Sequence, residues 1–363
     1  MEALREEVRR LAKSGDERTR KNILDELSAL SASIESPDDS VQRFTFYNMQ
    51  LAANLTAIDL KLFELLSENE TPLTVDQISE KIGANPVFIG RLLRYLASYY
   101  AIQEVNKDLF TSSNISKTFA QPGFQAAVGH IFNNAGPSIQ EFPAFIKENN
   151  YPDIQDNLQG HPENRDFFNL HMKSNRDGMP TFLDVFPVLE KATDLTPERA
   201  LFVDIGGGIG QQAIAFKEKY PQLEGRVIVQ DITLATADAI QHPGVEAMAY
   251  DFFSPQPIKG AKSYYLRNIL HDWPDHKCRE ILKNIIDAMA PDSYILIDDM
   301  VLPNVGVHWQ QAQLDMLMMV ALAARERTQE QWDQLVESAG LKVNKVHTYT
   351  ESSKDSIIEV ITA

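Results

Sequence analysis

The 363-residue sequence predicts an α/β protein, with a helical N-terminal domain ahead of a C-terminal, doubly wound and mostly parallel sheet. Three observations carry the prediction. From Ala200 onward, strand-like runs alternate with helical ones: "ALFVDIG", "GRVIVQD", "VEAMAYD", "SYYLRNIL", "SYILIDD", "LKVNKVHTY" and "SIIEVIT". The first of these runs ends in a glycine-rich turn, as the opening strand of a ligand-binding α/β sheet often does. Before that, apolar residues recur mainly at helical spacing. The length accommodates an N-terminal domain over 1–120, a helical linker over 121–190 and the sheet domain over 191–363.

Composition narrows the function. The net charge is −17, with 51 acidic against 34 basic residues, which opposes a nucleic-acid partner and an anionic membrane surface. A single cysteine, Cys278, excludes an intrachain disulfide and a cysteine-based zinc site. No apolar stretch reaches transmembrane length, and "MEALREEVRR" does not read as a secretory signal. The expected setting is the cytoplasm.

Taken in order, residues 1 to about 35 read as one charged amphipathic helix through Leu4, Val8, Leu11, Ile23, Leu24, Leu27 and Leu30. "SIESPDD" breaks it. The block Phe44 to Leu66 reads as a helix buried on more than one side, the kind of element that makes a subunit interface. Leu73 to Phe119 resembles a winged helix: Thr74 caps a helix with Gln77 three residues on, "GANP" turns, and a second helix precedes a hairpin around Asn106-Lys107-Asp108. The second helix offers only Arg91 and Arg94 to a phosphate backbone, while Leu92, Leu93 and Leu96 read as core, so the module is expected to be structural or dimerising. Gln121 to Pro187 is helical, broken by Pro and Gly, and rich in Phe and Met.

The sheet domain carries the chemistry. "DIGGGIG" gives D-x-G-x-G-x-G across Asp204, Gly206, Gly208 and Gly210, with Gln211 where a strict dinucleotide pattern would place glycine. Alone, this could be a tight turn and nothing more. The second strand ends in Asp231, 21 residues after Gly210, suited to the two hydroxyls of a ribose. The third delivers Asp251 for an adenine amino group and Phe252 for its ring. Together the three strand ends favour adenosine binding. The fourth strand hands over to His271, and the fifth brings Asp298 and Asp299 alongside, at neighbouring-strand distance. A neutral imidazole there can take a proton from a hydroxyl. His271 could instead be a hydrogen-bonded turn residue. Asp272 and Pro274 read as the cap and first-turn proline of the next helix.

With these residues assembled, the chain resembles the S-adenosylmethionine-dependent O-methyltransferases of the caffeate and flavonoid type, and most of all their fungal secondary-metabolism relatives. "VDIGGGIG", "LRNILHDWPDHKCREILKNI", "DDMVLP" and "RERTQEQWDQLVESAGL" carry the resemblance over nearly the whole chain. It implies a class I methyltransferase fold, a homodimer, and S-adenosyl-L-methionine as cofactor. Gly206 and Gly208 would line the methionine end of that cofactor, with Arg267 reaching it from four positions before the histidine. His271 matches the family's base. Asp299 stands where the family has a glutamate, one methylene longer, and Glu326 matches the second supporting glutamate. Asn169 and Met172 match the stretch that contributes to the acceptor pocket.

The acceptor side would then be a small aromatic or polyketide-type hydroxyl compound, methylated without a metal. Met316, Met318 and Met319 either line its pocket or belong to a helix core. An alternative keeps the fold and cofactor but drops the transfer: bound S-adenosylmethionine serves as a fixed charge in a dehydration or pericyclic ring closure, with Arg267 and His130 assisting.

Overall fold

The computed structural model describes residues 2–151, 180–237, 239–322, 324–350 and 353–363. These fall into two compact units, one holding residues 2–141 and the other residues 142–151 and 180 onward.

In the first unit, the expected single helix over residues 1–35 is two, Glu2–Ser14 and Glu17–Ile34. The break falls at Gly15-Asp16 because the Asp16 carboxylate accepts from the Thr19 backbone N–H at 2.8 Å and starts a new helix. Further helices span Pro37–Thr45, Tyr47–Asp59 and Leu62–Glu68, with a left-handed residue, Lys61, between the last two. The burial expected across Phe44–Leu66 holds only for its later part. Ala57, Leu62, Phe63 and Leu66 are buried, whereas Phe44, Phe46 and Met49 are 61, 51 and 55% exposed, leaving an apolar face uncovered within the chain.

The winged-helix pattern follows in the same unit. Strands β1 (Leu73–Thr74), β2 (Ile102–Asn106) and β3 (Leu109–Ser112) form an antiparallel sheet in the order β1-β3-β2. Thr74 and Gln77 cap the helix Val75–Ile82 reciprocally, at 3.3 and 2.9 Å. The helix Pro86–Ser98 buries Ile89, Leu92, Leu93 and Leu96, while Arg91 and Arg94 are exposed. The helix Pro122–His130 then runs through a π-helical turn at Ile131–Ala135.

The second unit is built on β4 (Ala200–Ile205), β5 (Arg226–Asp231), β6 (Val245–Ala249), β7 (Ser263–Arg267), β8 (Tyr294–Leu302), β9 (Arg327–Thr328), β10 (Leu341–Thr348) and β11 (Asp355–Thr362). The order is β10-β11-β8-β7-β4-β5-β6, with β9 paired to the far end of β8. Strands β4 to β8 are mutually parallel, and the final pair, β10 and β11, is antiparallel. All six residues of β4 are buried, as a central parallel strand covered on both faces requires.

Alternate residues serve the two covering layers: Tyr264 and Leu266 pack with the helix Asp275–Ile286, and Tyr265 packs with Phe182, Phe202 and Phe216 on the other face. Cys278, Ile281, Leu282 and Ile285 form the buried stripe of that helix, the three aliphatic side chains each contributing about 1.5–3 kcal/mol through loss of water contact. The chain passes from β4 outward to β5 and β6, then returns to β7 on the other side of β4. That reversal opens a crevice at the carboxyl ends of β4 and β7, the place where open α/β sheets bind ligands. Among the described residues, no helix is long and apolar enough to cross a membrane.

Candidate active site

The glycine loop leaves β4 at Gly206 and closes into the helix Gln211–Lys219. Its backbone is left-handed at Gly206, Gly208 and Gly210, with φ of 71, 56 and 92°. The N–H groups of Gly206 and Gly207 both donate to the Gln230 carbonyl, at 2.7 and 3.1 Å, so the loop is folded against β5. A Cβ on Gly206 would come within 2.4 Å of Ile269, while one on Gly208 would meet nothing within 4 Å. The open side of the loop is therefore at Gly208.

Asp231, the last residue of β5, accepts from the N–H of Gly208 at 2.8 Å through one oxygen and from the N–H of Ile232 at 2.7 Å through the other. Each oxygen keeps a further lone pair. Beyond β6, the Asp251 carboxylate accepts from the Phe253 N–H at 3.0 Å, and Phe252 packs edge-on against Trp273 with ring centres 6.0 Å apart. At the base of the loop Asp204 is buried, and one of its carboxylate oxygens lacks a hydrogen-bond partner. Burial, opposed by the charge of Arg267, pushes its carboxyl up to about 7. Arg267 closes β7, with its Nε 3.8 Å from Asp298.

His271 does not sit at the strand end itself. β7 stops at Arg267, Asn268 turns the chain with φ of 52°, and a single 3₁₀ turn, Leu270–Asp272, carries the histidine. Asp298 and Asp299 likewise lie within β8, before its end at Leu302, and the strand pleat separates them. Asp298 accepts from the hydroxyls of Tyr265 and Tyr349. Asp299 turns toward the histidine: its Oδ1 is 3.6 Å from Nδ1, and neither carboxylate oxygen has a hydrogen-bond partner. Nδ1–H donates instead to the Glu326 carboxylate, at 3.0 Å.

The reading of Asp272 and Pro274 as cap and first-turn proline is corrected. The helix begins at Asp275, Pro274 is its N-cap residue, and no side chain caps it. Asp272 lies in the 3₁₀ turn, where its carboxylate is 3.4 Å from His271 Nε2. The imidazole thus has acids at both nitrogens. Burial works against its charged form, but Asp299, the Glu326 hydrogen bond and Asp272 outweigh it and raise His271 to about 10. Burial raises Asp299 to about 8, against the pull of His271, and Asp272 to about 6. The acids therefore favour the charged ring, while burial opposes charge on Asp299. His271, Asp299 and Glu326 lie close enough together for a metal site, but the Nδ1–Glu326 hydrogen bond uses the ring nitrogen that such a site would need.

Comparisons with known proteins identify the family. Models of the O-methyltransferase domain and the O-methyltransferase dimerisation domain match residues 167–342 and 45–122. Demethylsterigmatocystin 6-O-methyltransferase of Aspergillus flavus is 39% identical, over 95% of this chain and 94% of its own. The chain belongs to the O-methyltransferase family. O-methyltransferase lepI of the same organism is 39% identical over 96% of this chain and 95% of its own. A solved structure of LepI in complex with SAM superposes with a TM-score of 0.94 at 36% identity, covering 99% of this chain and 98% of that one. Another with the same TM-score and identity is described as a pericyclic reaction enzyme.

The cofactor of this family is S-adenosyl-L-methionine, and the residues fit it. The unpartnered Asp204 oxygen, the open Gly208 and the strand-end acids together make a polar cradle at the sheet's crevice. Of the residues named from sequence for the acceptor, Asn169 and Met172 lie outside the described residues. Met316 is exposed and Met319 half-buried on the helix Trp309–Leu322. Sequence reasoning missed two residues at the histidine: Asp272, read as a cap, and Arg327, whose buried guanidinium has no signature in local pattern.

Proposed function

We propose that this chain methylates a hydroxyl of a small aromatic or polyketide-type metabolite, with His271 as the base. The observation that carries the reading is the Nδ1–Glu326 hydrogen bond, which leaves Nε2 as the ring atom that meets the acceptor. When bound, S-adenosyl-L-methionine supplies an electrophilic methyl group on its sulfonium.

The chain's part is positional and electrostatic. Gly208 leaves room at the β4 end and Gly206 makes the turn that leads to it, Asp231 would accept from the ribose hydroxyls, Asp251 and Phe252 would meet the adenine, and Arg267 would reach in from β7. Asp272 occupies the space at Nε2, so the acceptor hydroxyl replaces it there and gives its proton to His271. Asp299 and Glu326 hold the resulting imidazolium. General-base help of this kind contributes about 10²–10⁴-fold, and orientation with water exclusion supplies much of the remainder. The uncovered apolar face around Phe44, Phe46 and Met49, with the match to a dimerisation domain, supports a homodimer. The acidic charge and lone cysteine support a cytoplasmic setting.

The test pairs wild-type protein with His271→Ala, S-adenosylmethionine and a panel of phenols and polyketides, read by mass. The expected result is a product heavier by one methyl, formed about 10²–10⁴-fold more slowly by the variant, whose cofactor affinity is retained. A variant that transfers methyl at the wild-type rate overturns the role of His271. A second reading draws on the likeness to the pericyclic reaction enzyme: the cofactor stays intact and its charge assists a ring closure. An isomeric or dehydrated product without demethylated cofactor would favour it.

A further inference from the structure

Arg327 is 1% exposed, and its guanidinium is spent on the turn that carries His271. Nη1 donates to the Leu270 carbonyl at 2.9 Å and Nη2 to the Trp273 carbonyl at 2.8 Å, one on each side of the His271-Asp272 pair. Nη2 also donates to Asp275 at 2.8 Å and Nε to the same oxygen at 3.2 Å, so the start of the next helix is held as well. The guanidinium carbon stands 5.1 Å from the Trp332 ring centre, and the Trp332 indole N–H donates to the Met300 carbonyl at 3.0 Å. Met300 follows Asp299 in β8, and Arg327 itself pairs with Val301 of that strand. Arg327 also follows Glu326. One buried cation therefore touches, directly or through Trp332, the three segments that deliver His271, Asp299 and Glu326.

We infer that Arg327 is the positioning residue of the site: it fixes the 3₁₀ turn so that the His271 ring stays against Glu326 and Asp299. The turn has few means of its own to do this. It is three residues long, is entered through the left-handed Asn268, and leads into a helix without a side-chain cap. Apart from the guanidinium, its carbonyls at Leu270 and Trp273 receive the Cys278 thiol at 3.2 Å each, and the Trp273 and Arg325 N–H groups donate at the long distances of 3.3 and 3.4 Å to the Leu270 and His271 carbonyls. A flat fork that donates in three directions suits Arg, and Lys cannot reproduce it.

The inference rests on the reading of His271 as the base, so its test uses a signal that needs no acceptor. The groups facing the ring are Asp272 on its own turn, Asp299 from β8 and Glu326 ahead of β9. Behind Glu326, Asp315 of the helix Trp309–Leu322 accepts the Glu326 backbone N–H at 2.9 Å. The His271 imidazole is titrated by NMR in wild type, Arg327→Met and Arg327→Lys, with cofactor affinity measured beside it.

Removing a nearby cation by itself would push the ring's midpoint up. Release of the turn from its acids brings it down instead. The expected result is a fall of more than one pH unit in Arg327→Met and a smaller fall in Arg327→Lys, with cofactor affinity within about threefold of wild type. Arg327→Lys, which keeps the charge but not the fork, decides the matter if the Met variant does not fold. An unchanged or raised midpoint in variants that fold would overturn the inference and leave Arg327 as a packing residue. Absence of methyl transfer in the wild type would instead count against the proposed function, without touching the titration.

Discussion

The charge state of His271 is the sharpest consequence of its surroundings. The ring is 14% exposed and has carboxylate oxygens at 3.0 Å (Glu326), 3.4 Å (Asp272) and 3.6 Å (Asp299). Replacing Glu326 by Gln keeps the shape and an acceptor oxygen but removes one charge. At 3.0 Å and an effective dielectric of about 20, that charge is worth at most about 5 kcal/mol to the imidazolium, or about 4 pH units of midpoint. The retained hydrogen bond and the other two acids reduce the loss, so a fall of about 1–2 units is expected.

The assay is a titration of ring-labelled histidine by NMR, with the His271 signal assigned by its absence from His271→Gln. The wild-type midpoint is expected near 10, so only about one ring in 10³ is neutral at pH 7. Transfer rates should then climb about tenfold per pH unit from 7 toward 10. A wild-type midpoint near 6.5, or no fall in Glu326→Gln, would refute the electrostatic account of the cluster.

Three further outcomes follow from the same geometry. Gly206→Ala forces a left-handed alanine, at about 1–2 kcal/mol, and a contact with Ile269 that adds about 1–3 kcal/mol, so both Tm and cofactor affinity should drop. Calorimetry and cofactor titration would read this. Asp231→Ala removes the acceptor for the Gly208 and Ile232 N–H groups, and should weaken cofactor binding by at least tenfold while leaving the His271 midpoint in place.

Stability should also fall as pH rises. His271 is raised above its unfolded value of about 6.5, so its contribution is complete below that pH and is lost as pH climbs through about 10. Asp299, raised from its unfolded value to about 8, acts in the same direction between about pH 4 and 8. Tm should therefore decline from pH 6 to 9, and Asp299→Asn should flatten that decline. A Tm that rises over the range would contradict the sign.

Much of the cofactor edge was legible in the chain because its cues are local. A strand followed by D-x-G-x-G-x-G, and an acid at the end of the next strand, state their own geometry; the backbone bonds from Gly208 to Asp231 then tie the two together. The Thr74–Gln77 cap was equally readable, since both partners sit within one turn. What sequence could not supply were relations set by tertiary packing. Asp272 looks like a cap because an acid just ahead of a proline and an amphipathic run fits one, yet the 3₁₀ turn brings it to His271 Nε2. The exposure of Phe44 and Met49 was hidden because an apolar helix does not say what covers it. Arg327 was hidden because a buried arginine shares its letter with exposed ones. The break at Gly15-Asp16, by contrast, carried a readable signal that the long amphipathic run obscured.

The most direct measurement of the central claim is the fate of the methyl group. The purified protein is given S-adenosylmethionine carrying a deuterated methyl and a panel of phenolic and polyketide acceptors, and products are resolved by mass. The expected result is a product that gains the labelled methyl with one equivalent of demethylated cofactor, at a rate that rises with pH and falls about 10²–10⁴-fold in His271→Ala. An unlabelled product formed while the cofactor remains intact would contradict it.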